Sequence, residues 1–124
     1  MGICYDLISD QDRVGYELGK GPYGDPEFTD ALRAADPVTA VTAYLVAEGT
    51  GGLGWGPIGR WYAAQIAADV VAFAKAHPDW RVVNDAQWDG DVVDDEERAR
   101  IVDEGRDEND PLAPLYQRVG SRFA

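Results

Sequence analysis

The chain reads as an α+β domain, an antiparallel sheet with one long helix packed on a face, and three observations predict it. Residues 3–8 and 14–18 alternate apolar and polar side chains a short turn apart, the pattern of an antiparallel hairpin. Residues 60–77 are rich in Ala and place Tyr62, Ile66, Val70 and Phe73 on one stripe, which suits a helix with one apolar face. Short runs at 80–84 and 115–119 supply further strands, giving helix and sheet in one layered unit.

The elements follow in order. Ile3, Tyr5 and Leu7 alternate with Cys4, Asp6 and Ile8, and Ser9-Asp10-Gln11-Asp12 makes the turn. Val14, Tyr16 and Leu18 then alternate with Gly15 and Glu17 until Gly19-Lys20-Gly21-Pro22 breaks the strand. A short helix is expected over 26–35. Asp36-Pro37 supplies an N-cap and a first-turn proline for a helix over 38–48. The β-branched Val38, Thr39, Val41, Thr42 and Val46 favour a strand there as the competing reading. Six glycines and a proline make 49–59 a loop. The helix over 60–77 stops at Pro78, because the residue before a proline is pushed out of helical conformation. Trp80–Asn84 reads as a strand, and Asp89-Gly90 suits a type I′ turn from which Val92-Val93 returns. Asp94 with Glu97 three residues on starts a short acidic helix that Gly105 closes.

The composition places these elements in one domain, residues 1–124. A hydrophobic fraction of 45%, with four Trp, six Tyr and three Phe, supplies a core without crosslinks. The single cysteine, Cys4, permits no internal disulfide and favours a reducing compartment. The first residues show neither a basic segment nor an apolar one of the targeting kind, and Asp6 stands where a myristoylation signal wants Ser or Thr. No apolar run approaches the ~20 residues of a membrane span. The expected location is the cytoplasm.

Charge is the strongest functional signal. The chain has 23 acids against 11 bases, a net charge of −12. Residues 85–110 hold twelve of those acids and three bases. Such a field repels nucleic acid and anionic membranes and attracts a basic protein. The competing explanation is a composition bias of the host, which accounts for the overall acidity better than for its clustering.

Several motifs have the residue types that chemistry requires. Gly54-Trp55-Gly56-Pro57-Ile58-Gly59 has the spacing of a dinucleotide loop, but that loop needs a strand feeding its first glycine. Pro57 also removes an amide. Asp85, Gln87, Asp89, Gly90, Asp91, Val92 and Glu96 occupy the positions of a calcium loop, with Gln87 in place of an acid and a strand where the entering helix belongs. Cys4 and His77, the only thiol and the only imidazole, could formally make a nucleophile–base pair, but a structural thiol in an apolar strand and a histidine at a helix end are the preferred reading, and the two fall short of a zinc set. Gly19-Lys20-Gly21 could cradle an anion, though a strand-ending turn explains it equally. Trp55, between glycines in a loop, has the character of an interface anchor, with folding back over Trp61 and Tyr62 as the competing reading. No residue set specifies an acid–base pair. The expectation is a protein that is not an enzyme and takes no cofactor.

Tyr5-Asp6-Leu7 and Tyr16-Glu17-Leu18-Gly19-Lys20-Gly21, with His77-Pro78-Asp79-Trp80-Arg81-Val82-Val83-Asn84-Asp85, resemble segments of small acidic bacterial proteins of the immunity-protein kind. The resemblance covers about a third of the chain and carries over no functional residue. It implies a binding protein that neutralises a basic toxin. With the charge cluster, it directs attention to Asp91, Asp94, Asp95, Glu96, Glu97 and Trp55 as the partner-binding residues. A calcium-binding module over residues 85–96 and a small enzyme or nucleotide binder using loop 49–59 are the alternatives.

Overall fold

The structure, a computed structural model, describes residues 2–48 and 57–123. Five strands, β1 (Cys4–Ser9), β2 (Val14–Lys20), β3 (Arg81–Asn84), β4 (Asp91–Val93) and β5 (Leu115–Ser121), form one sheet in the order β3-β1-β2-β5-β4. Helices α1 (Pro26–Leu32), α2 (Pro37–Glu48) and α3 (Pro57–Ala76) separate β2 from β3, and α4 (Asp95–Asp103) separates β4 from β5. Among the described residues no helix is long and apolar enough to cross a membrane.

The α+β class is as expected, but the sheet is mixed. β1 pairs antiparallel with β2 and with β3, whereas β5 runs parallel to both β2 and β4. Period-two alternation specifies a half-buried strand but not the direction of its neighbour. The segment between β4 and β5 is long enough for a parallel crossover, which needs about a dozen residues or more. The acidic helix α4 is that crossover.

The expected hairpin between 80–84 and 92–93 does not form, because β3 and β4 lie at opposite edges of the sheet. A type I′ turn needs positive φ at both central residues. Gly90 lacks it, the described glycines with positive φ being Gly19, Gly21 and Gly105. The chain turns earlier, where the Asn84 side-chain oxygen accepts from the amides of Ala86 and Gln87, each at 3.0 Å.

One face of the sheet carries most of the core. Leu7, Tyr16 and Leu18 pack with Phe28 and Leu32 of α1, Val41 and Leu45 of α2, and the inner side of α3. Three helices therefore cover this face instead of the single long one expected. The β-branched residues of 37–48 are helical after all: Val41 and Leu45 are buried, so tertiary packing overrides the local preference. On α3 the expected stripe is correct at Ile66, Val70 and Phe73 but not at Tyr62, which is 43% exposed and stacks edge-on against Trp61. Ala63 and Ala67 take the buried positions, where small side chains permit close approach to α2.

The opposite face has a smaller cluster of Ile8, Val83 and Tyr116, sealed by Trp88 and Val92. Beyond that cluster the same face turns polar. Asp6 and Glu17 stand directly opposite one another in the β1–β2 register.

Candidate functional site: an acidic helix and a mixed-charge cleft

Helix α4 is built to be seen by solvent. It buries none of its residues. Asp94 is its N-cap, accepting from the Glu97 amide at 2.8 Å, the interaction that the Asp94–Glu97 spacing predicts. Asp94 also receives Arg118 of β5 at 3.0 Å, which ties the helix start to the sheet. Asp95, Glu96 and Glu97 fill the first turn, where the helix dipole favours negative charge. The C-terminal end closes through the Gly105 amide on the Val102 carbonyl at 2.9 Å.

The acids of residues 85–110 divide by what they do. Asp85 accepts from the Cys4 amide, Asp107 and Asp110 cap turns, and Glu108 pairs with Arg98 at 2.5 Å. Asp91 pairs with Arg106, whose guanidinium also donates to the carbonyls of Asp89 and Ala113. Glu97 reaches Arg100 only at 3.8 Å. Asp89, Asp95, Glu96, Asp103 and Glu104 have no side-chain partner among the described residues. Of the residues expected to meet a partner, Asp94, Asp95, Glu96 and Glu97 thus lie together at the start of α4, with Asp91 on the strand that leads into it. Asp95 and Glu96 are unengaged, while Asp91 and Asp94 are held by arginines. Trp55 lies outside the described residues.

A second feature lies on the polar part of the same sheet face. A cleft of about 400 Å³ is lined by Asp6, Glu17 and Asp91, by Lys20 and Arg122, and by Val92 and Phe123 among others. Glu17 is engaged, receiving the Ser121 hydroxyl at 2.7 Å and facing Arg118 at 3.6 Å. Asp6 makes no hydrogen bond or ion pair with the described residues. Burial first, and then the negative charges of Glu17, Asp91 and Asp85, raise its carboxyl to about 7, with Arg118 opposing. Arg122 lies over the Phe123 ring at 4.6 Å and beside the Tyr23 hydroxyl. Burial raises that phenol, and the guanidinium works against the rise. The Nε of Arg122 is shielded from solvent without an acceptor.

Sequence reasoning missed Asp6, Arg118 and Arg122. The signal for Asp6 was present: pairing Ser9 with Val14 across the turn and counting outward puts Asp6 opposite Glu17. Like charges directly opposed destabilise a strand pair, which marks the position as unusual. The two arginines become significant only once β5 is known to lie beside β2.

The other motifs come apart in three dimensions. Cys4 opens β1, while His77 sits past the far end of that strand, its Nδ1 2.6 Å from Asp12 in the β1–β2 turn. The two are not neighbours. Of the calcium-loop residues, Asp85 and Asp91 are directed to the Cys4 amide and to Arg106, and residues 91–93 are a strand. Among the described residues no three His, Cys, Asp or Glu side chains gather as a metal set. Of the glycine-rich motif, 54–56 lie outside the described residues, and 57–59 open α3 where a loop was expected. Gly19-Lys20-Gly21 does end a strand, and Lys20 lines the cleft.

No protein-family model, curated protein or solved structure matches this chain. The functional reading therefore stands on the geometry alone.

Proposed function

We propose that the protein is a binding module that engages a basic partner protein through the acidic start of α4, in the manner of an immunity protein neutralising a toxin. One observation supports this above others: α4 buries no residue, yet it holds Asp95, Glu96 and Glu97 in its first turn. An isolated helix of this length is marginal in water. Here the Asp94 cap and the Arg118 bridge hold it in place, fixing a negative surface while leaving Asp95 and Glu96 unengaged. A cationic surface would meet Asp95 and Glu96 without first breaking an internal ion pair. Charge of this kind speeds encounter and sets orientation more than it adds affinity.

The test is the salt dependence of association with a basic partner protein. Screening shortens from ~10 Å at 0.1 M salt to ~3 Å at 1 M, so the association rate should fall steeply over that range. Dissociation should change less. A rate that stays flat as salt rises would rule out steering by this surface.

A further inference from the structure

The cleft on the polar part of the sheet face carries an inference that goes beyond binding at α4. We propose that it is a site for a small zwitterion with an apolar body, such as a neutral α-amino acid.

The argument starts from what remains after internal pairs are set aside. Glu17 is engaged by Ser121 and Arg118, and Asp91 by Arg106. Three charged side chains lining the cleft then lack an oppositely charged partner among the described residues: Asp6, Lys20 and Arg122. Asp6 does not pair with either base, although all three line the same cleft. A half-buried carboxylate and a guanidinium that form no ion pair with one another leave charges of opposite sign for a guest to bridge. An ammonium group answers Asp6, and a carboxylate answers Arg122 and Lys20, Arg122 offering its planar two-pronged donor set.

The remaining lining fits the body of such a guest. Val92 and Phe123 present apolar surface, and Phe123 is 64% exposed, a large ring left for solvent to cover. The volume of about 400 Å³ falls in the range of small-molecule sites, ~300–1,000 Å³. It is small for a folded segment of another protein. Asp6 is surrounded by Glu17 of β2, Asp91 of β4 and Asp85 of the β3–β4 turn, against Arg118 of β5. An added ammonium group relieves that crowding, so binding should strengthen as Asp6 ionises near neutrality.

The experiment is a titration followed by the backbone amide spectrum of the labelled chain, with three probes: L-phenylalanine, 2-phenylethylamine and 3-phenylpropionate. L-phenylalanine should shift the amides of Asp6, Gly19, Lys20 and Phe123 saturably. The amine and the acid each lack one charged group, and each should bind at least about tenfold more weakly, the scale set by losing one charged hydrogen-bonding contact. Asp6→Asn should weaken L-phenylalanine to the level of the acid, and Arg122→Gln to the level of the amine. The same spectra show whether each variant is folded. If Arg122→Gln does not fold, Lys20→Gln should still lower affinity for L-phenylalanine and leave the amine unchanged. No shift with L-phenylalanine overturns the proposal. Equal binding of 2-phenylethylamine also overturns it, because the cleft would then recognise a cation alone.

Discussion

Asp6 and Glu17 face each other across the β1–β2 pair, and among the described residues only Glu17 has partners, Arg118 and Ser121. The fold thus engages one carboxylate and crowds the other. The Asp6 carboxyl, raised to about 7, stands well above the ~3.9 of an unfolded chain. The folded state therefore holds the proton more tightly. By linkage, this group's contribution to stability declines as pH rises from about 4 to about 7 and is level above that. Asp6→Asn should remove the decline. The variant should melt higher than the parent near pH 8, by a margin that shrinks toward pH 5. Parallel melting profiles for the two proteins would show that Asp6 does not titrate in this window.

Gly19 holds the end of β2 in a conformation that other residues rarely adopt. Its φ is +75°, and a Cβ there would stand 2.6 Å from the Phe123 ring. Gly19→Ala combines backbone strain of about 1–2 kcal/mol with displacement of that ring. Denaturant unfolding should show a loss of at least about 1 kcal/mol. No loss would mean that this end of β2 relaxes freely.

Phe73 and Tyr62 separate the true apolar seam of α3 from the expected one. Phe73 is 6% exposed and Tyr62 is 43% exposed. Phe73→Ala should cost about 3–5 kcal/mol, and Tyr62→Ala less than about 1 kcal/mol. Chemical denaturation of the two variants checks the order, and a reversal would place the helix in a different rotation.

Asp94 has two roles that substitutions can separate. Asp94→Ala removes the cap on the Glu97 amide and the bridge to Arg118, and should destabilise the fold by about 1 kcal/mol. Asp94→Asn keeps a side-chain acceptor for the cap, and a partly exposed ion pair contributes little, so its loss should be a fraction of that. Equal losses in the two variants would make the bridge, not the cap, the anchor of α4.

Most elements were legible in the sequence because each has a local cause. The β1–β2 alternation, the Pro37 start of α2 and the Asp94 cap of α4 all depend on residues within a few positions of each other. What was not legible depends on partners far along the chain. The direction of β5 against β2 follows from a crossover that alternation cannot specify. The burial of Ala63 in place of Tyr62 follows from the approach of α2. The acidic start of α4 could be read directly, since charge density needs no fold. The cleft could not, because it joins residues of β1, β2 and β4 with Arg122 and Phe123 from the far end of the chain.

Whether the start of α4 meets a basic partner can be decided with one variant. Replacing Asp94 and Asp95 by Asn, and Glu96 and Glu97 by Gln, removes four charges at nearly constant shape and keeps a cap at position 94. The association rate with a basic partner protein should fall at least about tenfold at low salt. The fold should remain intact by circular dichroism. An association rate equal to the parent's, in a folded variant, would contradict the account and leave α4 as a solvated acidic surface.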